Sequence, residues 1–177
     1  MELVINDDNL KLNEVEEHNL KARAILIDNN RILIARYGDT ILLPGGKVDA
    51  GETVSDAIIR ELKEEIGQEY NNSELDFFCV LNYYQKEYPK RDGFVCNRLV
   101  ETHYFIGPYK EINFDLIKLT EKEQKGNFRL ELASLNELES MILNNENNNP
   151  RNIYFQKELL IILDNYNKMF RDTSVNN

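Results

Sequence analysis

Residues 46–68 read Gly46-Lys-Val-Asp-Ala-Gly-Glu52-Thr-Val-Ser-Asp-Ala-Ile-Ile-Arg60-Glu61-Leu62-Lys-Glu64-Glu65-Ile-Gly67-Gln68. A glycine turn runs into a helix that Thr53 is placed to cap, with Asp56 three residues on. Val54, Ile58, Leu62 and Ile66 recur every four residues and give that helix a buried stripe. On another side stand Glu61, Glu64 and Glu65, which at 100° per residue share an arc of roughly 100°. Like charges three and four positions apart repel, so the row costs helix stability unless something positive sits against it. Hard divalent cations take oxygen ligands, and carboxylates beside glycine carbonyls supply them. The pattern therefore points to a Mg²⁺ or Mn²⁺ site.

Two further charges of the stretch fit the same reading. Arg60 lies four positions before Glu64, and Glu52 lies just ahead of the helix, so an Arg–carboxylate pair can fix the acidic row and tie the loop to the helix. The alternative is an exposed ion pair of little value. Gly45 and Gly46 let the backbone approach an ion, whereas Gly51 and Gly67 suit a turn and a helix exit.

The spacing of Gly46, Glu52, Arg60, Glu61, Leu62, Glu64, Glu65 and Gly67 resembles the signature of the Nudix hydrolases. Gln68 departs from it, because an aliphatic residue usually follows the last glycine. The resemblance implies an α/β/α sandwich with mixed β-sheets, in which this segment is a loop-helix-loop. It implies metal-dependent hydrolysis of a nucleoside diphosphate linked to another group, with Glu61, Glu64 and Glu65 as metal ligands and the Gly46 carbonyl often joining them. It also implies a general base outside the segment, in a loop before a late strand. Thr120-Glu-Lys-Glu-Gln-Lys-Gly-Asn-Phe128 resembles that loop, which makes Glu123 the first choice and Glu121 the second. A charged turn in solvent is the competing reading. A non-catalytic, nucleotide-sensing module on the same fold is the alternative function, although such modules usually carry a damaged signature.

Working outward, Ala22–Asp28 and Arg31–Tyr37 are β-rich runs joined by Asn29-Asn30, a hairpin turn. Thr40–Leu43 is a short strand stopped by Pro44-Gly45-Gly46. Leu75–Tyr84 and Leu99–Ile106 read as longer strands, with polar Gln85–Asn97 as a long connection between them. Phe128–Leu132 alternates like a half-exposed strand, Ser134 and Glu137 form a capping box for a short helix, and Asn152–Arg171 reads as a final helix. The expected organisation is an N-terminal extension (1–20) beside a single α/β domain (21–177).

Arg23, Arg36 and Lys47 are candidates for phosphate contact, or else ordinary surface charges. Tyr83, Tyr84, Tyr88 and Phe94 could stack on a base or simply pack. His103 lacks a suitably spaced partner for zinc.

A net charge of −10 over 177 residues excludes broad nucleic-acid binding, and no DNA partner is expected. It does not exclude phosphates, since bound cations reverse a local field. Cys79 and Cys96 read as reduced core residues, no apolar run reaches membrane length and no signal peptide is evident, so a cytoplasmic protein is expected. The apolar surface of the last helix leaves a homodimer open.

Overall fold

The computed structural model describes residues 1–125, 127–145 and 149–170, except for the side chains of Lys122 and Glu123. Among the described residues one eight-stranded mixed sheet carries helices on both faces. The strands are β1 (Glu2–Ile5), β2 (Glu17–Asp28), β3 (Arg31–Tyr37), β4 (Thr40–Leu42), β5 (Gly45–Lys47), β6 (Asp76–Pro89), β7 (Val95–Pro108) and β8 (Phe128–Ser134). The helices are α1 (Val54–Ile66), a short α2 (Glu121–Lys125), α3 (Leu135–Leu143) and α4 (Asn152–Phe170).

Strand β2 organises the sheet. One edge pairs in parallel with β7 from Glu17 to Ile27. The other edge is shared. After the Asn29-Asn30 turn, where Asn29 has φ +54°, only Ile27 and Asp28 pair with β3. Strand β3 then splays away, and Lys21, Ala22 and Arg23 pair instead with β5. Gly45 makes this possible. It has φ +122°, and a β-carbon there would overlap the Ala22 carbonyl oxygen.

Side-chain alternation along β2 divides the core into two layers. Ala22, Ala24 and Leu26 face α1, where they bury Ile58, Leu62 and Ile66. Ile25 joins Tyr104, Leu138, Leu159 and Ile162 under α3 and α4. Each fully buried Leu or Ile contributes about 1.5–3 kcal/mol of transfer free energy. The expected sandwich is therefore the one observed.

Three segments differ from the reading of the sequence. Residues 85–97 are mostly strand: β6 runs to Pro89 and β7 starts at Val95. Their polarity misleads because the hairpin end is solvated, while a bulge between Gln85 and Tyr88, with Glu87 at φ +49°, turns Gln85 and Tyr88 inward. The first 20 residues supply edge strand β1, parallel to β6, and the start of β2, so position 20 falls inside a strand. Residues 121–125 form the short α2 rather than an open turn. The Ser134–Glu137 capping box is present at α3.

Candidate active site

Helix α1 is fixed at both ends. The Thr53 hydroxyl accepts from the Asp56 amide at 3.1 Å and donates to the Asp56 carboxylate at 2.6 Å. At the other end Gly67 closes the helix at φ +71°, pressed so close to the Asn113 carbonyl that no β-carbon fits. Helix-end carbonyls need donors. Ile66 receives the Asn113 amide at 2.9 Å and Glu64 the Lys118 amide at 2.8 Å. Gln68 joins the same strap, donating its side-chain amide to the Glu111 carbonyl at 2.6 Å. A hydrogen bond thus replaces the packing of an aliphatic residue.

Arg60 gathers the acidic segment. Its Nε and Nη2 grip both oxygens of Glu52 at 2.9 Å, and Nη2 also reaches the Lys47 carbonyl at 3.0 Å. Its Nη1 donates to Glu61 at 2.9 Å and to Glu64 at 3.3 Å. Two carboxylates of the row therefore converge on one nitrogen. Arg60's hydrogen bonds hold the Glu52 carboxyl below its usual range, and Glu52 in turn raises the Arg60 pKa further.

Glu65 and Glu61 also touch the β5 loop. Glu65, only 3% exposed, accepts from the Gly45 amide at 2.8 Å. Glu61 lies against Gly46 so closely that a β-carbon there would overlap its carboxylate. Burial pushes the Glu61 pKa up, outweighing the pull of Arg60, and Glu64 adds repulsion.

The chemistry of the side chains is the test of whether a cation fits: Glu61, Glu64 and Glu65 offer only carboxylate oxygens, the hard donors that a divalent ion takes. Among the described residues no three Asp, Glu, His or Cys side chains already form a closed ligand set: Arg60 holds Glu61 and Glu64, while Glu65 faces the Gly45 amide. The donor set fits a divalent ion once those side chains turn toward it.

Glu61 and Glu65 form one end of a cavity of about 690 Å³. Seven of the chain's 21 lysines and arginines line it, in a protein of net charge −10. Arg23 and Lys47, both expected from the sequence, are among them. Arg23, 7% exposed, donates to the carbonyls of Leu43 and Gly45 and so also braces the β4–β5 turn. Lys21, Lys90, Arg91, Arg98 and Arg151 were not singled out by sequence, nor was Tyr37. They come from four separate stretches, and no local pattern marks them as a group.

The other candidates are spread more widely. Arg36 is not in this cavity. It pairs with Glu131 at 3.1 Å and lines a different surface hollow, because alternation sends it and its cavity-lining neighbour Tyr37 to opposite faces of β3. Of the four aromatic candidates only Tyr88 lines the cavity; Tyr83 packs on Tyr154, and Phe94 is 72% exposed at the hairpin tip. His103 hydrogen-bonds Glu101 at 2.7 Å. Glu121 is exposed and paired with Lys125 at 3.3 Å. The Glu123 side chain lies outside the described residues, although Thr120, just before α2, reaches the cavity.

Comparison with known proteins fits this arrangement. The NUDIX domain model matches residues 17–155, and the chain belongs to that family. It is similar to an 8-oxo-dGTP diphosphatase of Haemophilus influenzae, with 46% identity over 55 residues, 31% of this chain and 37% of that one. It is also similar to an ADP-ribose pyrophosphatase of Methanocaldococcus jannaschii, with 48% identity over 44 residues, 23% of this chain and 26% of that one. The matched stretches thus span roughly a quarter to a third of these curated relatives. Among solved structures, a Nudix hydrolase of Nitrosomonas europaea shares the fold at TM-score 0.55 and 16% identity, covering 82% of this chain and 90% of that one. A bifunctional NMN adenylyltransferase/ADP ribose pyrophosphatase of Francisella tularensis, complexed with AMP and a Mn ion, does so at 0.53 and 20%, covering 84% and 42%. No helix among the described residues is long and apolar enough to cross a membrane.

Proposed function

We propose that the protein is a pyrophosphohydrolase that uses Mg²⁺ or Mn²⁺ to cleave the diphosphate bridge of a nucleotide joined to another group. One observation carries this reading: an acidic helix face against a glycine loop forms one end of a cavity otherwise rich in cations.

Glu61, Glu64 and Glu65, with the Gly46 carbonyl, would hold the metal. When bound, the ion neutralises phosphate charge and lowers the pKa of a coordinated water. The chain's own groups do the remaining work. Arg60, gripping Glu52, orients two of the carboxylates, while Gly45 positions the third through its amide. Arg23, Lys47 and Arg151 offset the charge that spreads over the phosphate oxygens in the transition state. Glu123 is our candidate for the group that takes the proton from the attacking water, with Glu121 second; Thr120, just before them in the chain, lines the cavity. Both cysteines are free and buried, which suits the reducing cytoplasm.

The relatives named for 8-oxo-dGTP and ADP-ribose suggest the assay panel: those two compounds, a dinucleoside polyphosphate and a sugar nucleotide, with Mg²⁺ or Mn²⁺. Glu64→Gln should lower turnover of the preferred compound on the order of 10³-fold with an unchanged melting curve. An unchanged rate would overturn the proposal. Tight, metal-independent nucleotide binding without turnover would favour a sensing module instead.

A further inference from the structure

The cavity is longer than a diphosphate requires. Along β2, Arg23 pairs with Gly45, Lys21 with Lys47, and Glu17 with Arg98. All three β2 residues are odd-numbered and share one face, and the six residue steps from Arg23 to Glu17 span about 20 Å. At the far end stand Lys90, Arg91 and Arg98, well away from Glu61 and Glu65 yet lining the same cavity.

This end is built rather than merely charged. The Arg98 guanidinium lies 3.1 Å above the centroid of the Tyr88 ring, and its Nε donates to the side-chain oxygen of Gln85. Tyr88 and Gln85 are 6% and 2% exposed, so the support is rigid. A guanidinium fixed on an aromatic face and bonded to a neutral acceptor keeps its charge available and loses little entropy when an anion arrives. The local counter-charge is Glu17, which pairs with Lys90 at 3.6 Å and is one carboxylate among three cations. The positive field continues toward the metal end. Burial, with Arg23, Arg98 and Lys47 nearby, pushes the Lys21 pKa down to about 8 against the opposing pull of Glu158.

We propose that Arg98, Arg91 and Lys90 form a second anion subsite, which takes a phosphate group remote from the scissile bridge. The inference rests on the hydrolase reading for its substrate class: nucleotides carrying a further phosphate, either as a monoester on the ribose or at the far end of a longer polyphosphate chain.

Calorimetric titration of the full chain in chelator tests it without turnover. AMP is compared with adenosine 2′,5′-bisphosphate and 3′,5′-bisphosphate, and ATP with diadenosine tetraphosphate. At least one doubly anchored ligand should bind about tenfold or more tighter than its reference, the scale of one charged hydrogen bond. A gain with a bisphosphate assigns the subsite to a ribose phosphate; a gain with the tetraphosphate alone assigns it to a longer chain. Arg98→Gln should bring the ratio to near one, and so should Arg91→Gln, whose exposed position in the turn guards against misfolding. The proposal is overturned if no ligand shows a gain, if the gain survives both substitutions, or if no doubly phosphorylated ligand binds measurably. Turnover without the gain removes this proposal alone; the gain without turnover removes the hydrolase reading alone.

Discussion

The two ends of the cavity are assembled in opposite ways. At the α1 end, charges from a single run of twenty-odd residues are locked to one another: Arg60 bonds Glu52, Glu61 and Glu64, and Glu65 bonds the β5 loop. At the hairpin end, cations from distant strands meet with little mutual bonding. Reaction chemistry tolerates little positional error, which suits the proposed role of the groups held on α1. Recognition of a remote anion needs charge in the right region, which β6 and β7 can deliver.

The sharpest way to break the contrast is Gly46→Ala. Its methyl group would push the Glu61 carboxylate aside, and because that is the end of a flexible side chain the fold should survive. Turnover should fall by about 10²-fold or more, as for other misplacements near 1 Å, with little change in thermal melting. Arg60→Ala comes next. It should cost about 10- to 100-fold in metal affinity measured by titration, and about 2 kcal/mol of stability by urea denaturation, since it unties the loop as well as the acidic row.

A pH experiment sharpens the comparison within the α1 end. Arg60 bonds both Glu52 and Glu61, yet their pKa values move in opposite directions because Glu61 is the more buried. Glu52's lowered pKa means that its ionised form favours the fold. That contribution is complete above the ordinary value of 4.5 and is lost as pH falls through the lowered one. Glu52→Gln should therefore be less stable than wild type in urea at pH 7, with the gap closing in acid. The smallest effect belongs to Arg36→Ala. The residue lies outside the cavity, so kcat/KM should stay within about twofold.

The contrast also explains what was legible in the sequence. Glu61, Glu64 and Glu65 could be read because helix periodicity fixes their common face, and Thr53 and Gly67 mark the ends. Arg36 was misplaced because a one-residue step along a strand reverses the side, and no run length says which side faces a cavity. Arg98 and Arg151 stayed invisible because only the β2–β7 register and the position of α4 bring them to the cavity that Lys21 lines. The polar run 85–97 concealed a strand whose bulge tucks Gln85 and Tyr88 inside.

The shared edge of β2 has a last consequence. Since Gly46 is a rung between Ala22 and the acidic helix rather than part of a swinging loop, the floor of the proposed metal site is held by the sheet and should not fray on its own. Its amides should exchange with deuterium as slowly as those of the sheet centre, and warming should extinguish activity and ordered structure in a single cooperative step.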